Sequence, residues 1–465
     1  MKTFYKLLIL FILLSSMLKA NIINVPGSYG TIQAGINASS NGDTVLVEPG
    51  TYFENIIFGG KKIVLTSRFY IAGNLTFINT TIINGSTPSH PDSASCVRIF
   101  QGEDSTTVLQ GFTITGGKGT KWQDEHGAGR YTEGGGILTA HTSPTIRFCV
   151  IKDNEAAIGT GVVSTGGGGI RCGDGNPKIL NCIIMNNTGR YGAGIVLNYT
   201  GATIKNCVIT KNYGSNSYGA GAALWINNNN GTLPKIIENN TIVNNSATTA
   251  GTGGIYSNTP TTFIRNCIVW GNTGPGAAYS GTMNFSYTNI NATVAGMGNI
   301  NTAPQFDSAN FILGTGSPCI DAGDTAVIYN DKQGAPGFAL YPSRGTTRND
   351  MGAYGGQLAA ILLSNTFVSV QKISNVVPER FELKQNYPNP FNPTTNFEFR
   401  IANFGFVSLK VYDITGKVVA DLVSENLHPG QYSFNWNAER LSSGIYFYKL
   451  TADNFSDVKK MTLLK

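Results

Sequence analysis

At 465 residues the chain exceeds what one ordinary compact core supports, so it is either several domains or one elongated repeat domain. The presence of 57 glycines with only 13% charged residues favours the second, built of short strands and tight turns. The formal charge of +6 includes Lys2, Lys6 and Lys19 of a removable leader; without those three it is +3, too little to imply a nucleic-acid partner.

The chain opens with Lys2 and Lys6, an apolar run from Leu7 to Leu14, and a short polar stretch ending at Ala20. This pattern predicts a secretory signal peptide over residues 1–20, because the run falls short of the roughly 20 apolar residues a bilayer span needs. No later segment approaches that length, so the mature chain is expected to have no transmembrane segment and to be soluble or surface-attached. The cysteines, 7 in all, are odd in number, which excludes a fully paired disulfide framework within one chain.

Internal periodicity dominates the middle of the chain. The segments TIRFCVIKDN, KILNCIIMNN, TIKNCVITKN, IIENNTIVNN and FIRNCIVWGN align with Cys149, Cys182, Cys207, Asn240 and Cys267 in one column. Ile146, Ile179, Ile204, Ile237 and Ile264 stand three positions earlier; Ile151, Ile184, Ile209, Ile242 and Val269 stand two later. A further column holds Asn154, Asn187, Asn212, Asn245 and Asn272 without exception. The repeat length varies while the columns hold, as in solenoids that take insertions at their loops.

Short β-rich runs bounded by Gly and Asn predict strands, and stacking them in parallel buries each coil's inward residues against like neighbours. The two isoleucine columns lie an odd number of residues apart, so both point inward only if the chain bends between them. The asparagines are expected to form a hydrogen-bonded ladder at a bend, with the left-handed backbone that Asn tolerates. The cysteines are expected as small, buried, mildly apolar core residues. A second column precedes each repeat, in EGGGI, GGGGI, YGAGI, YGAGA and GTGGI, and aligns Ile137, Ile170, Ile195, Ala222 and Ile255.

These columns resemble the pectin-lyase-like family of right-handed parallel β-helices, here over residues 21–298. The stretch VPGSYGTIQAGINASSNGDTVLVEPGTYFENI strengthens the resemblance. It implies a cap helix over Thr31 to Ala38, a first coil strand over Thr44 to Val47, and early coils from Ile63 to Thr66, Leu75 to Ile83 and Val108 to Ile114.

Residues 299–356 resemble the closing segment found in many surface β-helix proteins, called a choice-of-anchor domain. Its Asp321, Asp324 and Asp350 either hydrogen-bond turn amides or collect a calcium ion, the one cofactor the sequence raises. A linker is expected over 357–378. From 379 to 465, NYPNPFNPTT, DITGKVV, SGIYFYKL and a basic last strand follow in an order that resembles the type A sorting domain of type IX secretion cargo, a small antiparallel β-sandwich. The resemblance implies the type IX machinery as a partner and the outer surface or exterior of a Gram-negative bacterium as the destination.

Strand alternation places Leu138, Arg171, Val196, Ala223 and Tyr256 in an outward column, with Ala140, Gly173, Asn198, Trp225 and Asn258 beside it and His141, Asp174 and Tyr199 on the next loops. The charged segment 118–133, with Trp122, Asp124, Glu125, His126, Arg130 and Tyr131, is expected to overhang this face. Aromatic faces with amide and guanidinium donors suit a sugar chain, so Trp225, Tyr256, Asn198, Arg171, His141 and Trp122 are the expected contacts of a polysaccharide or cell-surface glycan. For catalysis, the candidate clusters are Arg171 with Asp174 and His126 with Arg130. No stacked Asp or Glu pair of the glycosidase kind occurs in the five clear coils. The sequence thus points to a monomeric, exported polysaccharide-binding or adhesive solenoid, with a polysaccharide lyase or glycoside hydrolase as the alternative.

Overall fold

The computed structural model describes residues 20–127, 129–156, 165–214, 221–227, 232–248, 251–276, 278–307, 310–362, 371–374, 378–403, 405–427, 429–438, 441–452 and 454–465. The expected signal peptide therefore lies outside the described residues, save Ala20. Among those described, no helix is long and apolar enough to cross a membrane. The chain divides into two compact units after Leu362.

The first unit is a parallel β-helix with three strand faces. One face holds Ile137–Ala140, Ile170–Gly173, Ile195–Asn198 and Leu224–Asn227. The second holds Thr145–Arg147, Lys178–Leu180, Thr203–Lys205 and Lys235–Glu238. The third holds Val150–Lys152, Ile183–Met185, Val208–Thr210 and Thr241–Val243. The long strand Ile255–Arg265 runs through both of the first two faces.

Both isoleucine columns are in register. Ile146 pairs with Ile179, Ile179 with Ile204, Ile204 with Ile237 and Ile237 with Ile264. Ile151, Ile184, Ile209, Ile242 and Val269 pair likewise on the third face. All are buried, and each contributes about 1.5–3 kcal/mol of burial that an isolated coil would forgo. The bend between the columns is one residue in the left-handed conformation: Phe148, Asn181, Asn206, Asn239 and Asn266, each with φ between 50° and 54°.

The asparagine ladder forms as expected. Nδ2 of Asn154, Asn187, Asn212 and Asn245 donates to Oδ1 of the next rung at 3.1, 3.0, 2.9 and 2.9 Å. The left-handed residue is not the ladder asparagine but the one before it, at Asp153, Asn186, Lys211, Asn244 and Gly271. That twist turns the following amide inward, where Asn187 Nδ2 also reaches Ile151 O and Asn212 Nδ2 reaches Ile184 O. The cysteines are free and buried in the core. Burial pushes the Cys96 and Cys267 thiols up to about 12, so they pack as apolar groups.

Three local expectations are corrected. Residues 76–80 are a helix, Thr76–Thr80, entered where Asn74 Oδ1 accepts the Thr76 amide, and the strand begins only at Thr81. Val108 to Ile114 is two strands, Val108–Gln110 and Thr113–Thr115, broken at Gly111 with φ 82°. In the fourth coil Ile195 pairs with Leu224, not Ala222. The neighbouring coils put Ile137, Ile170, Ile195 and Ile255 in that inward column; an alanine there would leave a void, and a shift of two keeps the faces of the strand. The end cap matches expectation: α1, Ile32–Ala38, is capped by Thr31, whose Oγ1 accepts from the Ala34 amide, and it buries Ile32 and Ile36 against the core.

The closing segment returns along one corner of the helix. Asn181 donates to Leu358 O, Asn206 to Ala353 O and Gly355 O, and Asn239 to Asp350 O, so the bend asparagines anchor it.

The second unit is a sandwich of two four-stranded sheets with strands paired antiparallel inside each. One comprises Gln371–Ser374, Gly430–Asn437, Thr394–Ile401 and Glu382–Leu383. The other comprises Val418–Leu427, Gly405–Tyr412, Gly444–Ala452 and Phe455–Leu463. Phe397, Phe399, Val407, Leu409, Tyr448, Leu450 and Met461 fill the core between them. The expected linker is thus shorter than 357–378, since Gln371–Ser374 already pairs with Gly430–Asn437.

Candidate functional site

The segment 118–133 is a β-hairpin, Gly119–Gln123 against Arg130–Glu133, and it covers the first face as expected. It covers more of that face than alternation alone implies. Leu138 and Arg171 are buried; Val196 is buried under Tyr191 and Trp225, and Ala223, expected outward, is instead part of the solenoid core. The two-residue shift at Leu224 also places Trp225 in register with Val196 and Tyr256, and Asn227 in register with Asn198.

Arg171 lies wholly under the hairpin. Its terminal nitrogens hold both oxygens of Glu125, and its Nε donates to Glu133 Oε2 at 2.9 Å. Trp122 Nε1 donates to Glu125 Oε1 at 2.9 Å and Tyr191 Oη to Glu133 Oε1 at 2.8 Å. Burial drives the Glu133 carboxyl above its ordinary range against the pull of Arg171; for Glu125 burial is the largest single influence, but the hydrogen bonds and charge of Arg171, with the Trp122 hydrogen bond, together exceed it and hold the carboxyl below. Arg171 and Trp122 therefore pin the hairpin, and the expectation that Arg171 meets substrate is corrected by its burial.

The two expected catalytic pairs do not form. Arg171 is committed to the glutamates, and the hydrogen bonds described give Arg130 no polar partner near His126. Instead, Asp174 sits between two imidazoles, with its Oδ1 3.1 Å from His126 Nε2 and its Oδ2 3.1 Å from His141 Nδ1. The His126 ring stacks on Tyr199 at 3.7 Å between centroids. His141, Asp174 and Tyr199 reach this arrangement because each occupies the left-handed corner after its first-face strand, with φ 54°, 50° and 54°. The side chains of His126, His141 and Asp174 remain 43%, 58% and 25% exposed.

Beside them runs an outer amide row that only the corrected register reveals. Asn258 Nδ2 donates to Asn227 Oδ1 at 2.6 Å, Asn227 to Asn198 at 3.0 Å, and Asn198 to Asp124 Oδ2 at 2.8 Å. Two residues earlier on the same strand face, the Trp225 and Tyr256 rings stack with centroids 6.1 Å apart and planes 15° apart. Both are half-buried.

In the closing segment, Asp321 accepts from the Thr346 amide, Asp350 from the amides of Asp321 and Arg344, and Asp324 caps Ala326. Turn amides therefore account for the three aspartates. Among the described residues, no group of His, Cys, Asp and Glu is arranged to hold a metal ion. Asp331, unremarked in the sequence, is buried beside Asp350 and accepts its amide at 3.2 Å. Burial and the neighbouring charge push Asp331 up to about 8 and Asp350 up to about 7.

The first unit is thus an all-β parallel solenoid with a half-buried strip of aromatic and amide side chains; Asn198 in that row is buried, which corrects the expectation that it meets a sugar. Residues 385–463 match the family of secretion system C-terminal sorting domains, and the second unit is a type IX secretion sorting domain. The chain is accordingly exported by type IX secretion to the cell surface or the extracellular space. No curated protein matches the chain.

Proposed function

We propose that the solenoid binds extracellular polysaccharide without cleaving it, as a surface adhesin or glycan-binding protein. The observation that carries this reading is the pairing of the stacked Trp225 and Tyr256 rings with the half-buried Asn227 and Asn258 amides, one rung per coil. Rungs of a parallel sheet lie about 4.8 Å apart, so a sugar chain running along the axis meets repeated ring faces and repeated amide donors and acceptors. The carboxylates nearby are mostly spoken for: Asp124 by Asn198, and Glu125 and Glu133 by Arg171. Glycoside hydrolysis uses two carboxyl groups facing across a bond, and Asp174 stands here between histidines instead.

One observation favours a second reading. A partly exposed carboxylate bracketed by two imidazoles is a proton-transfer unit, which a polysaccharide lyase requires beside a uronate. The test is to incubate the purified full chain with uronate-containing and neutral polysaccharides, following binding, unsaturated products and reducing ends. Binding without turnover, weakened at least tenfold in Trp225→Ala, is expected. Turnover abolished in Asp174→Asn would replace binding with catalysis, and neither binding nor turnover across the panel would refute both.

A further inference from the structure

The two outer faces of the sorting domain differ in a way that its own stability does not explain. On the sheet containing Thr394–Ile401, outward charges neutralise one another: Lys384 pairs with Glu398 at 2.9 Å and Arg400 with Glu382 at 3.1 Å. Ser433 and Asn396 complete that face with a 2.8 Å hydrogen bond. Such a surface is electrostatically closed.

The opposite sheet is built otherwise. Val407, Leu409, Val411, Tyr448 and Leu450 point into the core, so alternation turns Tyr412, Phe447 and Lys449 outward. Register sets Tyr412 against Phe447, Phe447 against Lys460, and Lys449 against both Lys410 and Val458. Ile414 and Val458 are 74% and 51% exposed. Together with Tyr412, Asp413, Phe447 and Lys449 they line a recess of about 390 Å³, where Asp413 Oδ1 already accepts the Thr415 and Lys417 amides of its own turn.

Large apolar groups concentrated on one face, ringing a recess, mark a surface made for contact. The charges say what kind. Neither Lys449 nor Lys460 has a carboxylate partner among the described residues; the nearby Asp457 pairs with Lys459 on the other side of the strand. Cations set around an apolar recess complement a partner surface that is apolar at its centre and acidic at its rim.

We propose that this face, centred on Phe447 and Val458 and flanked by Lys449 and Lys460, is the surface by which the domain docks on the type IX secretion machinery. The partner is a component of that machinery presenting an acidic-rimmed apolar patch. The opposite, self-neutralised sheet faces solvent during docking.

The test compares matched charge removals on the two faces in full-length protein expressed in a bacterium with type IX secretion. Lys449→Gln with Lys460→Gln is expected to lower the exported fraction at least tenfold, with the folded protein accumulating in the periplasm. Lys384→Gln with Arg400→Gln, the same change of charge on the other sheet, is expected to leave export within twofold of the parent. Ile414→Ser, at a position too exposed to matter for folding, is expected to reduce export as well, and thermal melting of each purified chain confirms that the fold is kept. Normal export of both recess-face variants, or equal loss in the opposite-face pair, overturns the proposal.

Discussion

Replacing Asn212 by alanine probes the mid-point of the buried ladder. Its Nδ2 donates to Asn245 Oδ1 at 2.9 Å and to Ile184 O at 2.9 Å, while its Oδ1 accepts from the Asn187 amide at 3.1 Å and Asn187 Nδ2 at 3.0 Å. Alanine removes these four and a fifth, from Nδ2 to Thr210 O at 3.1 Å. Asn187 Nδ2 keeps Ile151 O and Asn245 Oδ1 keeps the Asn212 amide, so the group left wholly orphaned is the Asn187 backbone N–H. One buried unsatisfied donor costs about 1–3 kcal/mol, and each further lost bond contributes about 1 kcal/mol, which places the destabilisation at about 3–5 kcal/mol. Asn272, the last rung, is half-buried; it donates to Ile242 O at 2.8 Å and accepts from the Asn245 amide at 3.0 Å and Asn245 Nδ2 at 2.9 Å, so Asn272→Ala also orphans one N–H but loses no bond to a further rung, and should cost about 2–3 kcal/mol. Because a solenoid unfolds by neighbouring coils rather than all at once, native-state hydrogen exchange is the suitable assay. Faster exchange concentrated at the coils flanking residue 212 is expected. A loss below about 1 kcal/mol at residue 212 would refute the idea that the ladder's buried amides hold the coils together.

Further outcomes follow from the same contacts. Arg171→Met leaves Glu125 and Glu133 buried without their cation, and losing one partner of a buried pair costs about 3–5 kcal/mol; limited proteolysis should then cut within 119–133, whereas an uncut hairpin would contradict its role as the pin. Leu224→Ala should cost about 2–5 kcal/mol in chemical denaturation, as a cavity in the inward column does, and a loss under about 1 kcal/mol would argue for the Ala222 register instead. The folded pKa values of Asp331 and Asp350, about 8 and about 7, lie above the ordinary 3.8. The folded state therefore binds more protons than the unfolded one between pH 4 and 8, and stability falls as pH rises through that window. Asp331→Asn should flatten that fall in thermal melts, and an unchanged pH slope would place the linkage elsewhere.

Features that depend on one coil resembling the next were legible in the residues: the isoleucine columns, the buried cysteines, the asparagine ladder and the bend between columns. Those that depend on long-range partners were not. Nothing local in GAALW shows that Leu224 rather than Ala222 must fill the inward column; only the void that alanine would leave against Ile195 and Ile255 decides it. The pairing of Asp174 with His126 and His141 joins a hairpin to two successive corners, a closure that strand alternation does not specify. Arg171 reads as an exposed donor along its strand, yet the hairpin brings two carboxylates that make its burial tolerable. Asp331 lacked any pattern because its partner, Asp350, is supplied by the chain folding back. The repeated left-handed corners at His141, Asp174 and Tyr199 were the available signal for the site, since they follow each first-face strand at the same offset.

Diffraction from crystals of the full chain soaked with an oligosaccharide of whichever polymer it retains tests the central claim most directly. Sugar rings lying along the solenoid axis over Trp225 and Tyr256, with hydroxyls on Asn227 and Asn258, are the predicted result. A sugar bound elsewhere on the molecule, leaving that strip bare, would contradict it.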